Sequence, residues 1–249
     1  MSDYLVHTQQ IFTAVDEFDF LERIKPSAVM EHFQDMAAAH AEELGVGFED
    51  LKAQNLFWVL NRLSAVIDKP PIIGEPLTIT TYPHRPNMVD AIRDYVVSNS
   101  KGETLVRGTS RWCVLDINSK AIRRCAPVFK FGADEYKPEF AVADGNIALP
   151  EIGKISGERR IRRGVVNITD IDRNGHMNNA RYADLVVNTC DYDYYSTHSI
   201  IAFDFNFLAE MRVNDEYSVE MRTDGNASYF EAAGNLGRPA FRARIIWGK

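Results

Sequence analysis

Residues 16–36 read DEFDFLERIKPSAVMEHFQDM, and residues 165–185 read VVNITDIDRNGHMNNARYADL. Laid over each other at an offset of 149, Phe33-Gln34-Asp35-Met36 falls on Tyr182-Ala183-Asp184-Leu185. The identity is weak, but each stretch runs through an extended segment, a polar turn and a helical pattern. Self-similarity at a fixed spacing marks a structural unit used more than once. In the first copy Val29, Met30, Phe33, Met36, Ala37, His40 and Leu44 recur at helical spacing. Ser27 is a good N-cap and Gly45 a good C-terminal stop. In the second copy a helix is expected over about 178–190, with Tyr182, Leu185, Val186 and Thr189 along its less polar side.

Each helix is followed by strand-like segments rich in branched and aromatic residues. The first copy has FWVLNRLSAVI, PLTITTYP, AIRDYVVSNS, TLVRGTSRWCVLD and a short AIRRC; the second has IIAFDFNFLAE, EYSVEMRT, SYFEAAGN and AFRARIIW. The joints carry turn residues, Ile73-Gly74-Glu75-Pro76 against Val213-Asn214-Asp215-Glu216 and Ser100-Lys101-Gly102 against Leu236-Gly237-Arg238. With Gly102 on Gly237, Trp112 falls on Trp247. A long helix wrapped by a curved antiparallel sheet is the hotdog pattern. Two tandem copies make an α+β double hotdog, with repeats expected over 1–140 and 161–249 and a Pro-, Gly- and charge-containing linker over 141–160.

At 249 residues the chain has room for one large domain or two small ones. No stretch approaches the roughly 20 apolar residues that span a bilayer, so no membrane insertion is expected. The N-terminus lacks the basic-then-apolar pattern of a secretory signal. Three scattered cysteines, Cys113, Cys125 and Cys190, offer neither a disulfide framework nor a cysteine metal site, and a reducing cytoplasm is expected. A net charge of −7 argues against nucleic-acid binding. No phosphate loop, H-E-x-x-H or G-x-S-x-G is present, and no cofactor or metal is expected.

The polar turn before the second helix, Asp170-Ile171-Asp172-Arg173-Asn174-Gly175-His176-Met177-Asn178-Asn179, has no counterpart at the 149 offset. There Asp172 faces Arg23, Asn174 faces Lys25 and His176 faces Ser27. At an offset of 141, set by the Glu75/Glu216 turn, Glu210 faces Lys69. The scaffold is duplicated and this chemistry is not. The set suits thioester hydrolysis. A carboxylate (Glu210) can act as general base on water or attack directly. Asn174, His176 and a helix N-terminus can serve the oxygen that becomes negative. Asp172 can orient or charge-balance His176. More modest readings exist: His176 as a helix-cap histidine, Asn178 and Asn179 as N-cap residues, Glu210 as a solvated strand end.

Asp172-Arg173-Asn174-Gly175-His176-Met177-Asn178-Asn179 resembles the D-x-N-x-H-x-N-N signature of the acyl-acyl carrier protein thioesterases. Phe57-Trp58-Val59-Leu60-Asn61-Arg62, Gly74-Glu75-Pro76-Leu77 and Phe207-Leu208-Ala209-Glu210-Met211 are also similar to that family. The resemblance implies a double hotdog, hydrolysis of fatty acyl-acyl carrier protein to free fatty acid, and no cofactor. Asp172, Asn174, His176 and Glu210 take the family's catalytic positions. Where plant members have a cysteine after the glutamate, this chain has Met211, so a thiolate at that position is excluded. The resemblance also implies an acyl channel in the first copy, with Met30, Phe33 and Trp58 in its lining; plain core packing is the alternative. Arg159, Arg160, Arg162 and Arg163 read either as a solvated linker or as a docking patch for the acidic carrier, joined by Arg123, Arg124, Arg212, Arg242 and Arg244. Competing activities are an acyl-coenzyme A thioesterase, a hotdog dehydratase and a non-catalytic acyl-thioester binder. The double copy can satisfy hotdog pairing within one chain, and a homodimer remains compatible with it.

Overall fold

The structure, a computed structural model, describes residues 5–125, 128, 140–142, 147–234 and 237–249. Parts of the expected first repeat, residues 143–146 of the expected linker, and Asn235 and Leu236 of the last strand-turn segment lie outside them. The chain forms two compact units that divide after residue 146, with residues 25–30 belonging to the second.

The first unit holds strands β1 (His7–Phe12), β2 (Leu56–Ile67), β3 (Pro76–Pro83), β4 (Ala91–Asn99), β5 (Thr104–Asp116) and the short β6 (Ile122–Arg123). They pair antiparallel in the order β1-β3-β4-β5-β2, with β6 on β5. Helix α1 (Pro26–Glu43) packs on one face, and a short α2 (Phe48–Lys52) follows it. α1 stops where expected. Gly45 takes φ +67°, its N–H donates to Glu42 O, and the next N–H, of Val46, donates to Ala41 O. That is the Schellman closure that glycine makes at little steric cost. The helix is anchored by Phe33, fully buried and stacked on Tyr95 of β4 at 4.3 Å. The ring lies so close over Gly108 of β5 that a Cβ there would be 2.1 Å from it. The glycine is what lets helix and sheet approach.

The second unit holds β7 (Arg159–Val165), β8 (Ser199–Phe207), β9 (Glu216–Asp224), β10 (Ala227–Ala233) and β11 (Pro239–Gly248), antiparallel in the order β8-β11-β10-β9-β7. Helix α3 (Asn179–Val187) packs on it through Tyr182, set edge-on to Phe207 at 5.6 Å and Phe241 at 5.1 Å. α3 ends three residues before the expected 190; Asp191 then caps a separate short helix, α4 (Tyr192–Thr197), with its side chain. Each unit is thus one hotdog, a helix laid on a curved antiparallel sheet.

Two strands differ from expectation. β1 and β7 show no apolar alternation, so pattern alone does not reveal them. Arg159 and Arg160, read at the end of the linker, belong to β7. Its side chains find partners on both faces: Arg159 pairs with Glu220 at 2.8 Å, Arg160 with Asp191 at 2.6 Å, and Arg162 donates to Asn188 O at 3.1 Å. The described connecting segments are held by side-chain hooks. Asp94 and Thr109 accept from the N–H groups of Ala141 and Val142. Asn206 brackets Ile147 O and Leu149 N, and Arg222 donates to Ile155 O. Buried polar residues on the strands are explained by these backbone partners.

Candidate active site

The site grows from one loop. Ile168–Asp170 form a single 3-10 turn, closed by Asn167 N–H donating to Asp170 Oδ2 at 2.8 Å. The chain then doubles back: Asp172 N–H donates to His176 O, Gly175 N–H donates to Asp172 O, and Ile171 bridges Met177. Gly175 sits at φ +77°, where glycine is favoured. Asp172 Oδ1 accepts from Asn174 N–H at 2.8 Å, and the Asn174 amide reaches Asp172 Oδ2 at 3.4 Å. Asn178 caps α3, its Oδ1 accepting from Ala180 N–H at 2.8 Å, and Asn179 is the first helical residue.

Two hydrogen bonds to the Met211 backbone bring in the distant glutamate. Met177 N–H donates to Met211 O at 2.8 Å, and Met211 N–H donates to the Tyr182 hydroxyl at 3.2 Å. The residues just before this joined pair, His176 and Glu210, are thereby set side by side, with His176 Nε2 2.8 Å from Glu210 Oε2. Glu210 lies three residues beyond the end of β8 rather than at its last position. A third side chain joins them: Arg212 Nη2 is 3.0 Å from His176 Nε2 and 3.6 Å from Glu210 Oε2. His176 is 18% exposed, Glu210 41% and Arg212 63%, so the histidine is the most enclosed of the three. Burial holds the Tyr182 phenol well above its ordinary range, with Glu210, Asp172 and Asp215 adding to the rise, so it stays a neutral acceptor.

The geometry also resets the comparison between copies. The 3-10 turn at Val15–Glu17, the Phe18–Ile24 bridge and the start of α1 each recur 153 positions later, not 149. Asp172 therefore corresponds to Asp19, Asn174 to Leu21 and His176 to Arg23. Asp19 does in its copy what Asp172 does here: its Oδ1 accepts from Leu21 N–H at 2.8 Å, and its N–H donates to Arg23 O. The contrast drawn for Asp172 from sequence does not hold, because the loop itself calls for an aspartate. Arg23, where the second copy has His176, folds back onto Asp19 with Nε 2.9 Å from Oδ2. The turn before β3 likewise recurs at 140, not 141: Glu75 N–H bonds Ile72 O as Asp215 N–H bonds Arg212 O. Glu210 thus faces Pro70 and Arg212 faces Ile72. Asn174, His176, Glu210 and Arg212 are what the second copy has and the first lacks.

The remaining predicted residues make contacts of their own. Met30 and Phe33 are fully buried, and Trp58 is half-buried, its Nε1 donating to Val46 O at 2.9 Å. Arg160 lines a cavity of about 170 Å³ with Cys190, Asp191, Tyr194, Met221 and Trp247, beyond the C-terminal end of α3. Burial pushes the Cys190 thiol there up to about 12. Arg163 is exposed on β7. Arg123, Arg242 and Arg244 are tied to Asp116, Glu231 and Asp204. Sequence reading set Arg212 only among docking candidates; the one signal for its place was its position two residues after Glu210. Among the described residues no group of three or more His, Cys, Asp or Glu could hold a metal ion, and no helix is long and apolar enough to cross a membrane.

Comparison with known proteins bears on this geometry. The acyl-ACP thioesterase N-terminal domain matches residues 4–130, and the acyl-ACP thioesterase C-terminal domain matches residues 154–249. A chloroplastic palmitoyl-acyl carrier protein thioesterase of Gossypium hirsutum is 26% identical over 222 residues, covering 84% of this chain and 53% of that protein. A chloroplastic dodecanoyl-[acyl-carrier-protein] hydrolase of Cinnamomum camphora is 25% identical over 213 residues, covering 81% and 55%. Among solved structures, an acyl-ACP thioesterase from Bacteroides thetaiotaomicron superposes with a TM-score of 0.85 at 23% identity over 100% of both chains. The 12:0-ACP thioesterase from Umbellularia californica gives 0.83 at 20% identity, covering 98% of this chain and 97% of that one. These structures share the fold. The chain spans about half the length of the plant relatives it matches.

Proposed function

Because the chain belongs to the acyl-ACP thioesterase family, we propose that it hydrolyses the thioester of a fatty acyl-acyl carrier protein, giving free fatty acid and carrier. The observation that carries this reading is the 2.8 Å contact of His176 with Glu210, two residues that only the second copy has. Glu210 takes a proton from water as the hydroxide oxygen bonds the thioester carbonyl carbon. The carbonyl oxygen gains the charge and is met by the Asn174 amide, a ring N–H of His176 and the positive N-terminus of α3. The tetrahedral carbon then expels the sulfur, which takes back the proton held on Glu210. Water is consumed and no bond to the protein forms. Asp172 keeps its part as the residue that shapes the loop and orients Asn174. No cysteine serves as nucleophile in this scheme. Met211 occupies the position after the glutamate, and the thiols of Cys113, Cys125 and Cys190 are all raised by burial.

In this proposal the acidic carrier meets exposed basic groups of the second unit, among them Arg160, Arg163 and Arg212, while the acyl chain lies along the first copy near Met30, Phe33 and Trp58. The reaction runs in the cytoplasm, in keeping with three unpaired cysteines. The test is fatty acid release from a series of acyl-acyl carrier proteins, with the matching acyl-coenzyme A run alongside. Fast release from the carrier alone is expected, and Glu210→Ala and His176→Ala should each lose most of it. Faster release from coenzyme A, or near-normal rates in Glu210→Ala, overturns the reading.

A further inference from the structure

Arg212 opens a turn that both copies close in the same way, yet the first copy has isoleucine there. The turn therefore does not require an arginine. Its guanidinium instead reaches His176 Nε2, the atom that also faces Glu210. An imidazole nitrogen has one in-plane site: it carries a proton and donates, or it presents a lone pair and accepts. A carboxylate only accepts and a guanidinium only donates. At 2.8 Å from Glu210 Oε2 and 3.0 Å from Arg212 Nη2, Nε2 can satisfy one neighbour at a time. The chain makes an arginine-to-imidazole bond elsewhere too, where buried Arg93 donates to His40 Nδ1 at 2.8 Å.

We propose that Arg212 is a positioning residue that sets the tautomer of His176. When Nε2 carries the ring proton it donates to Glu210 Oε2, which takes one of the carboxylate's acceptor sites and makes it a weaker base toward the attacking water. When Arg212 donates to Nε2, the ring proton resides on Nδ1 and Glu210 is released to act as base. The partner of one ring nitrogen decides where the proton sits, and Arg212 is that partner. The catalytic consequence rests on the hydrolase reading above; the tautomer assignment does not.

The experiment is long-range proton–nitrogen NMR on protein with ring-labelled histidine, at neutral pH, with the His176 signals assigned by their loss in His176→Gln. In the native protein Nε2 should show the shift of an unprotonated, accepting nitrogen for a substantial share of molecules. In Arg212→Met that share should collapse toward protonated Nε2. Steady-state rates are measured on the same samples. Arg212→Met should lower kcat about tenfold or more, given what a general base contributes, with KM within about twofold. Guanidinium added to Arg212→Ala should recover part of the rate. An unchanged His176 spectrum in folded Arg212→Met overturns the proposal, as does an unchanged kcat. A native protein that hydrolyses nothing sinks the hydrolase reading alone, since the spectra still test the tautomer.

Discussion

Replacing Tyr182 with phenylalanine isolates the contact that sets Glu210 beside His176. Tyr182 and Met211 are each 2% exposed, and the phenol oxygen accepts from Met211 N–H at 3.2 Å. Phenylalanine keeps the ring contacts with Phe207 and Phe241 and removes only that oxygen. A buried N–H left unpaired costs about 1–3 kcal/mol. Because 3.2 Å is the long end of the N–H···O range, the loss belongs in the lower half, about 1–2 kcal/mol. For a chain of this size that lowers the melting temperature by about 2–8 °C. The bond from Met177 N–H to Met211 O remains, so the segment loosens without leaving. Glu210, one residue away, loses its fixed position; small misplacements of reacting groups are costly, and kcat should fall about tenfold with KM little changed. Thermal denaturation by circular dichroism reads the first effect and acyl release the second. A melting temperature and kcat both matching the native protein would refute the account of how the two halves of the site are joined.

Two further outcomes follow from other contacts. Glu22 holds φ +58° at the position where the second copy has Gly175, so Glu22→Gly should stabilise the protein by about 1 kcal/mol, read as a rise in urea midpoint. Glu220 and Asp191 are held below the usual carboxylate range. For Glu220 the Arg159 bond leads; for Asp191 the Tyr194 N–H leads and Arg160 adds. A depressed carboxylate stabilises fully above its unfolded value of about 4 and loses that contribution as pH falls through the lower folded value. An Arg159→Met, Arg160→Met double variant should therefore melt below the native protein at pH 7, and the gap should close as acid protonates the two carboxylates; a gap that persists at about pH 2 contradicts the pairing.

Most of each hotdog was legible because its inner strands carry one apolar face. β3, read from PLTITTYP, coincides with its observed bounds; β9 runs one residue further at its C-terminal end and β11 one residue further at each end. The site loop was legible for another reason: capping and turn-making account for Asp172 and Asn178 but not for Asn174 and His176 beside them. The register between copies was misread by four. Phe33 and Tyr182 both anchor helix to sheet, and residues four apart share a helix face, so matching the anchors slid the alignment by about one turn. That slip hid Asp19 behind Asp172. Arg212 escaped because its importance lies in where a long side chain reaches, and spacing along the chain does not encode reach.

The arginines of β7 have a consequence apart from any substrate. β7 ends the strand order of its unit, and among the described residues nothing pairs with its outer edge. An edge of unsatisfied amides and carbonyls is a template for aggregation, and positive charge along a strand is a common guard against it. Arg159, Arg160, Arg162 and Arg163 put charge on both faces of the strand, so another chain adding there would bring like charges together or bury them. The basic run that first reads as a linker thus keeps the sheet from growing.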